Sequence, residues 1–181
     1  MPRNIEIKAK LDDGIEALLP RTEVLAGAAA EVIAQDDSFF HVPHGRLKLR
    51  QFADGTAELI HYHRADTADA KASDYVRVAV HDAAALCEAL ARGCGLLGRV
   101  RKTRWLAVVH EQGFATRIHL DRVEGLGDYM ELEVMLQDGQ TDSAGQQVAD
   151  ALMQRLGLES AARLAGAYMD LLAAARLPAE R

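Results

Sequence analysis

Met130-Glu131-Leu132-Glu133-Val134, which closes the segment beginning at Asp121, alternates carboxylates with apolar side chains. In a strand successive side chains point to opposite faces, so Glu131 and Glu133 share one face while Leu132 and Val134 share the other. The other strand candidates repeat the alternation with cations. Arg46, Lys48 and Arg50 alternate with Leu47 and Leu49, Arg117, His119 and Asp121 with Ile118 and Leu120, and Asn4, Glu6, Lys8 and Lys10 with Ile5, Ile7 and Ala9. Ser73, Tyr75 and Arg77 face away from Val76, Val78 and Val80 in the same way. One such strand would be half-buried with a wet face. The chain also carries helical segments whose apolar stripes need an apolar sheet face to pack on, which turns the charged faces toward one another inside a closed sheet. The expected fold is therefore α+β, an eight-stranded antiparallel closed β-barrel with a polar, charged interior and helices packed outside. Eight strands close a barrel just wide enough for side chains or one small ligand.

The strands are predicted at 3–11, 31–42, 46–52, 57–64, 73–80, 99–110, 115–123 and 128–137. Asp54-Gly55 marks a hairpin between the third and fourth. Gln112-Gly113 and Gly125-Leu126-Gly127 join the last three into a meander, and Gly125-x-Gly127 is a turn rather than a dinucleotide loop because no helix follows it. Helices are predicted from Asp12-Asp13-Gly14 to about Leu25, broken or kinked at Pro20, and from an Asp82 cap through Leu97. Two more, Ser143–Leu156 and Ala161–Ala175, are separated by Gly157, and Thr67–Lys71 reads as a polar loop. No repeat or linker interrupts the 181 residues, so a single domain 1–181 is expected, with C-terminal helices over 143–175.

Hydrophobic residues make up 49% of the chain, which argues against disorder. The net charge of -6 opposes nucleic-acid binding by a general basic surface and leaves room for a local cationic cluster. No apolar run reaches the ~20 residues that span a bilayer, and no secretory pattern opens the sequence. A soluble, cytoplasmic protein with no nucleic-acid or membrane partner is expected, and the oligomeric state is open, a homodimer included. Cys87 and Cys94 fall on one predicted helix with ~10 Å of rise between them, too far for a disulfide.

Five elements, in order along the chain, resemble the CYTH domain of the triphosphate tunnel metalloenzymes, which include class IV adenylyl cyclases, thiamine triphosphatases and inorganic triphosphatases. Asn4-Ile5-Glu6-Ile7-Lys8 is similar to the N-terminal ExExK strand of that family, with Asn4 in place of the first glutamate. Gly45-Arg46-Leu47-Lys48-Leu49-Arg50 looks like its basic strand, and Lys102-Thr103-Arg104 like its Lys-x-Arg pair. Thr116-Arg117-Ile118-His119-Leu120-Asp121 and Glu131-Leu132-Glu133 resemble the segment that ends in its ExE metal site.

The chemistry of the residues agrees with what the resemblance implies. A triphosphate carries about four negative charges and needs several cations, whose mutual repulsion its binding relieves. Lys8, Lys10, Arg46, Lys48, Arg50, Arg77, Lys102, Arg104 and Arg117 are the candidates for phosphate, and Lys8, Arg50, Lys102 and Arg104 the candidates for catalysis. Glu6, Glu131 and Glu133 would oppose an anion by themselves and make sense as hard ligands for Mg²⁺ or Mn²⁺. Asp121 either completes that metal site or holds a basic residue, and Asn4 should make the metal sites weaker or fewer. His119 reads equally as structural or as a partner of phosphate or carboxylate, His61-x-His63 as structural, and Phe39, Phe40, Tyr62 and Trp105 as core. The expected ligand is tripolyphosphate, thiamine triphosphate or ATP. Hydrolysis of the terminal phosphate is favoured because no residue specifies adenine. A class IV adenylyl cyclase and a non-catalytic polyphosphate or nucleotide sensor are the alternatives, and a barrel with solvated charged faces is the plainest one.

Overall fold

The computed structural model describes residues 3–64 and 71–176. Eight antiparallel strands form a closed barrel: β1 (Arg3–Lys10), β2 (Glu31–Phe40), β3 (Arg46–Phe52), β4 (Ala57–Arg64), β5 (Lys71–Val80), β6 (Leu96–Glu111), β7 (Phe114–Val123) and β8 (Gly127–Leu136). Their order around the barrel is β1-β5-β4-β3-β2-β6-β7-β8, and β8 pairs back onto β1. Outside lie α1 (Ile15–Ala26), α2 (Ala83–Cys94) and α3 (Asp142–Leu156), and α4 (Tyr168–Arg176) crosses one end.

Alternation decides what faces inward. Ile5, Ile7, Ile118, Leu120, Leu132 and Val134 are at most 3% exposed and pack outward against Ile15 and Leu18 of α1 and Val148, Leu152 and Leu156 of α3. Each such side chain contributes about 1.5–3 kcal/mol over leaving it exposed. A one-residue slip of β8 would bury two glutamates under the helices, so the register is strongly specified. Under α2, Phe40, Leu49 and Ala57 form a second outer cluster with Leu86 and Leu90.

The local signals are met with some differences. Helix α1 runs through Pro20 in its middle, which removes a single donor and does not end the helix. Gly14 is its N-cap residue, as the Asp12-Asp13-Gly14 signal implies, but supplies no side-chain hydrogen bond, and the Ile15 amide donates instead to Asp128 Oδ2 of β8 at 3.0 Å. Asp82 caps α2 by accepting from the Ala85 amide at 2.9 Å. That helix stops at Cys94 rather than Leu97 because Leu96 already pairs with Phe40 and the His41 amide donates to the Gly95 carbonyl. Cys87 is half-buried, Cys94 is exposed, and both are free thiols. Residues 67–70 of the expected polar loop lie outside the described residues, and Lys71 opens β5.

The helix expected over Ala161–Ala175 begins only at Tyr168, so a non-helical segment, 157–167, rather than Gly157 alone, separates the last two helices. There the chain exchanges helical hydrogen bonds for contacts with the barrel rim. The Leu164 amide donates to the Lys8 carbonyl at 2.9 Å, Arg163 bridges Ala9, and Gly166 takes a left-handed φ of 79°. This brings Tyr168, Met169 and Leu172 onto Val100, Val123 and Tyr129 at the barrel end. No described helix is long and apolar enough to cross a membrane.

Candidate functional site

The inward faces meet in a cavity of about 340 Å³. Its wall carries Asn4, Glu6 and Lys8 of β1, Gln35, Asp37 and Phe39 of β2, Lys48 and Arg50 of β3, and Arg77 of β5. Lys102 and Arg104 of β6, Arg117 and His119 of β7, and Glu131 and Glu133 of β8 complete it, with Tyr168 at one end. Strand register sets the pairs: Glu6 lies opposite Glu133, Lys8 and His119 flank Glu131, Arg104 opposes Asp121, and Arg50 opposes Asp37.

Two buried carboxylates hold the cations in place. Asp37 accepts from Arg50 Nε and Nη2 at 2.7 Å each and lies 3.0 Å from Lys48 Nζ. Asp121, fully buried, accepts from Arg104 Nε and Nη2 at 2.6 Å each, from Lys102 Nζ at 3.0 Å and from the Tyr168 hydroxyl at 3.0 Å. Burial alone would raise both carboxyls; Arg50 and Lys48 around Asp37, and Arg104 and Lys102 around Asp121, outweigh it and hold both well below the usual carboxylate range. The lysines move the other way. Burial and the Arg50 cation pull Lys48 down, and burial and the Arg104 cation bring Lys102 down to about 7.

A second cluster lies beside the first. One ligand atom from each of His119, Glu131 and Glu133 falls within 4.8 Å of the others. His119 Nδ1 is 3.7 Å from Glu131 Oε2 and 3.9 Å from Glu133 Oε1, too far for hydrogen bonds, and among the described residues it is one of three buried, unpartnered side-chain polar atoms on the wall, with Asn4 Oδ1 and Gln35 Oε1. Burial, then the Arg104 cation, lowers the His119 pKa and keeps a ring nitrogen available as a ligand. This donor set fits a divalent cation, and its orphaned nitrogen is the observation that favours one. Glu131 also lies 3.3 Å from Lys8 Nζ and 3.3 Å from Arg104 Nη2, so it links the two clusters.

Not every residue singled out in the sequence reaches the wall. Lys10 is exposed at the end of β1, and Arg46 lies beyond the cavity with its Nη2 2.7 Å from Asp170 Oδ2. Arg77 and Arg117 sit at the more exposed end, 3.7 Å from Glu58 and 3.6 Å from Glu133. Asp121 stands with the cations rather than with the Glu131–Glu133 pair, and His119 takes the place beside that pair. His61 and His63 are on the outer face, where His61 Nε2 meets the His44 carbonyl at 3.0 Å. Asp37 and Tyr168 were not legible as site residues. Asp37 had one available signal, its place at the inward parity of β2 with Ile33, Gln35 and Phe39; Tyr168 had none, because it belonged to an expected helix stripe.

Lys102 gives the site a measurable pH response. A lysine that titrates near 7 alone becomes fully charged beside a polyanion, so binding must draw protons from solution above that pH. Titration calorimetry of tripolyphosphate at pH 8 in buffers of different ionisation enthalpy should show net proton uptake. Affinity should fall as pH rises from 7 to 9, and Lys102→Met should abolish the uptake.

Comparison of the sequence with curated proteins finds no significant match. Among solved structures, the chain is similar to the PH1012 protein of Pyrococcus horikoshii, with a TM-score of 0.78 and 24% identity over 93% of this chain and 99% of that one. A conserved hypothetical protein of Pyrococcus furiosus gives 0.76 and 22% over 93% and 99%. A Vibrio parahaemolyticus protein provisionally named an adenylate cyclase gives 0.72 and 20% over 94% and 97%. These likenesses establish the fold. The family model for the CYTH domain matches residues 2–168, which take in all eight strands, the first three helices and the segment leading into α4, and the chain belongs to the CYTH domain family.

Proposed function

We propose that the protein is a divalent-metal-dependent enzyme that binds a triphosphate inside the barrel and hydrolyses its terminal phosphoanhydride bond. The observation that carries this function is the pairing, in one cavity, of cations pre-set by buried carboxylates with a separate His119–Glu131–Glu133 cluster. Glutamates beside an anion site weaken it unless a cation bridges them to the anion. Glu131, Glu133 and His119 would hold Mg²⁺ or Mn²⁺, with Glu6 nearby, and the bound ion would neutralise charge developing on the phosphate oxygens.

The chain's own residues would do the rest by position. Arg104, held along one guanidinium edge by both oxygens of Asp121, keeps its plane fixed, so it can meet phosphate oxygens at little cost in side-chain entropy. Arg50 is held in the same way by Asp37. Lys8 and Lys102 add point charges deep in the cavity, and Lys102 Nζ is able to hold or release a proton near neutral pH. Phosphoryl transfer draws most of its acceleration from such positioning and electrostatics.

The test is a product assay with tripolyphosphate, thiamine triphosphate and ATP in Mg²⁺ and in Mn²⁺. Orthophosphate release is expected, with Mn²⁺ effective at lower concentration because one of the three ligands is an imidazole. Cyclic AMP and pyrophosphate from ATP would instead make the protein a cyclase, and binding without any product would make it a sensor.

A further inference from the structure

One end of the barrel is stoppered by the chain's own C-terminal segment, and Tyr168, the first residue of α4, meets the site twice from there. Gly98 makes room for the stopper, since a Cβ there would stand 2.6 Å from Met169 Sδ. The turn into α4 is pinned by side chains. Lys8 Nζ donates to the Gly166 carbonyl at 3.2 Å, and Asp170 Oδ2 accepts from the Ala167 amide and from Arg46 Nη2 at 2.7 Å each. So placed, the Tyr168 hydroxyl donates to Asp121 Oδ2, the oxygen that also accepts from Lys102 Nζ and Arg104 Nη2. Burial, then the Asp121 anion, raises the Tyr168 pKa, so the hydroxyl keeps its proton and donates it to that oxygen. The ring centroid lies 4.2 Å from Lys8 Nζ and 4.9 Å from Lys102 Nζ, within cation–π reach of both. Lys8 stands on β1 and Lys102 on β6, with β7 and β8 between them, so one ring ties together cations that strand register does not.

We propose that Tyr168 is a positioning residue of the phosphate site, holding Asp121 through its hydroxyl and the ammonium groups of Lys8 and Lys102 through its ring. The proposal rests on the triphosphate function above and adds that the C-terminal segment helps to build the site as well as closing the barrel end. A lysine on a flexible four-carbon stem loses rotamer freedom when a phosphate fixes it, and a ring that already fixes it removes that cost. The hydroxyl acts through charge. Each donor on a carboxylate oxygen lessens the pull left for the others, so Tyr168 loosens the hold of Asp121 on the Lys102 proton. The groups that face Lys102 are Arg104 of its own strand, Asp121 of β7, Arg50 of β3, Asp37 of β2, Glu131 of β8 and Tyr168 of α4. Tyr168→Phe alters the last alone and keeps its ring.

Titration calorimetry of tripolyphosphate in EDTA, in buffers of two ionisation enthalpies and with Lys102→Met as the baseline, tests this without turnover. Free Lys102 loses its proton as pH rises through about 7, so uptake on binding should reach half its maximum near that pH. In Tyr168→Phe that midpoint should move up by about half a unit, because Asp121 then holds the Lys102 proton more firmly. At pH 6, where Lys102 is mostly charged, Tyr168→Phe should bind tripolyphosphate within about twofold of wild type and Tyr168→Leu about tenfold more weakly. Leu172→Ala loosens the same stopper without touching a cation and should stay within about twofold. Should Tyr168→Leu fail to fold, the midpoint in Tyr168→Phe carries the test. A midpoint unchanged or lowered in Tyr168→Phe would overturn the proposal and leave the triphosphate site standing. So would an affinity at pH 6 that Tyr168→Leu leaves unchanged, or that Leu172→Ala lowers as far. No binding of tripolyphosphate by the wild type would overturn both.

Discussion

Asp121→Asn is expected to destabilise the protein by about 3–5 kcal/mol, the cost of removing one partner from a buried ion pair. The amide keeps the size of the side chain and loses its charge, so Lys102 and Arg104 are left buried without their anion. Urea denaturation measures the loss. Tripolyphosphate should restore more stability to the variant than to the wild type, because it brings the missing negative charge to the same two cations. The carboxyl of Asp121 is held below its unfolded value near 4, so its contribution is complete above that pH and is lost as pH falls toward the folded pKa. Wild-type stability should therefore drop below about pH 4, more steeply than that of Asp121→Asn. If Asp121 were chiefly a metal ligand, the variant would lose metal dependence and keep its stability in EDTA.

The outcome at Asp121 bears on what the sequence could reveal. Alternation in Met130–Val134, Arg46–Arg50 and Asn4–Lys10 was enough for a closed barrel with its charges inside, because a half-apolar strand under an amphipathic helix has few other ways to pack. Parity also placed His119 and Asp121 on the inner face, but parity gives a side and not a partner. Whether Asp121 meets a metal or a cation depends on which inward side chains the register sets opposite it: Arg104 from β6 on one side and Tyr129 of β8 on the other. The same holds for Asp37, whose role as the anchor of Arg50 and Lys48 comes from the pairing of β2 with β3 across a turn. The stopper was illegible for another reason. Ala161–Ala175 has good helix formers, and local propensity is overridden there by main-chain bonds to Lys8 and Ala9 that no nearby residue announces. Asp128 as the cap of α1 is a long-range pairing of the same kind.

Glu133→Gln is expected to lower metal-dependent turnover by a factor on the order of 10²–10³, comparable to losing one preorganised electrostatic contact to a transition state. Glu133 is the more informative of the two β8 glutamates. Glu131 also lies within 3.3 Å of Lys8 and of Arg104, so Glu131→Gln would disturb the cations and the metal cluster together. Glu133 has weaker ties, with Arg117 at 3.6 Å and His119 at 3.9 Å, and its side chain is 19% exposed, so its replacement should leave the fold intact. The two roles then separate by experiment. In EDTA, tripolyphosphate should bind Glu133→Gln as tightly as wild type or more tightly, because Arg117 gains freedom from a neighbouring anion. In Mn²⁺ the variant should need a higher metal concentration to reach its residual rate, and manganese binding followed by its paramagnetic signal should weaken in parallel. A variant that loses turnover while its manganese affinity is unchanged would assign Glu133 to the phosphate side of the site, and the metal cluster would then have to be built from His119, Glu131 and Glu6.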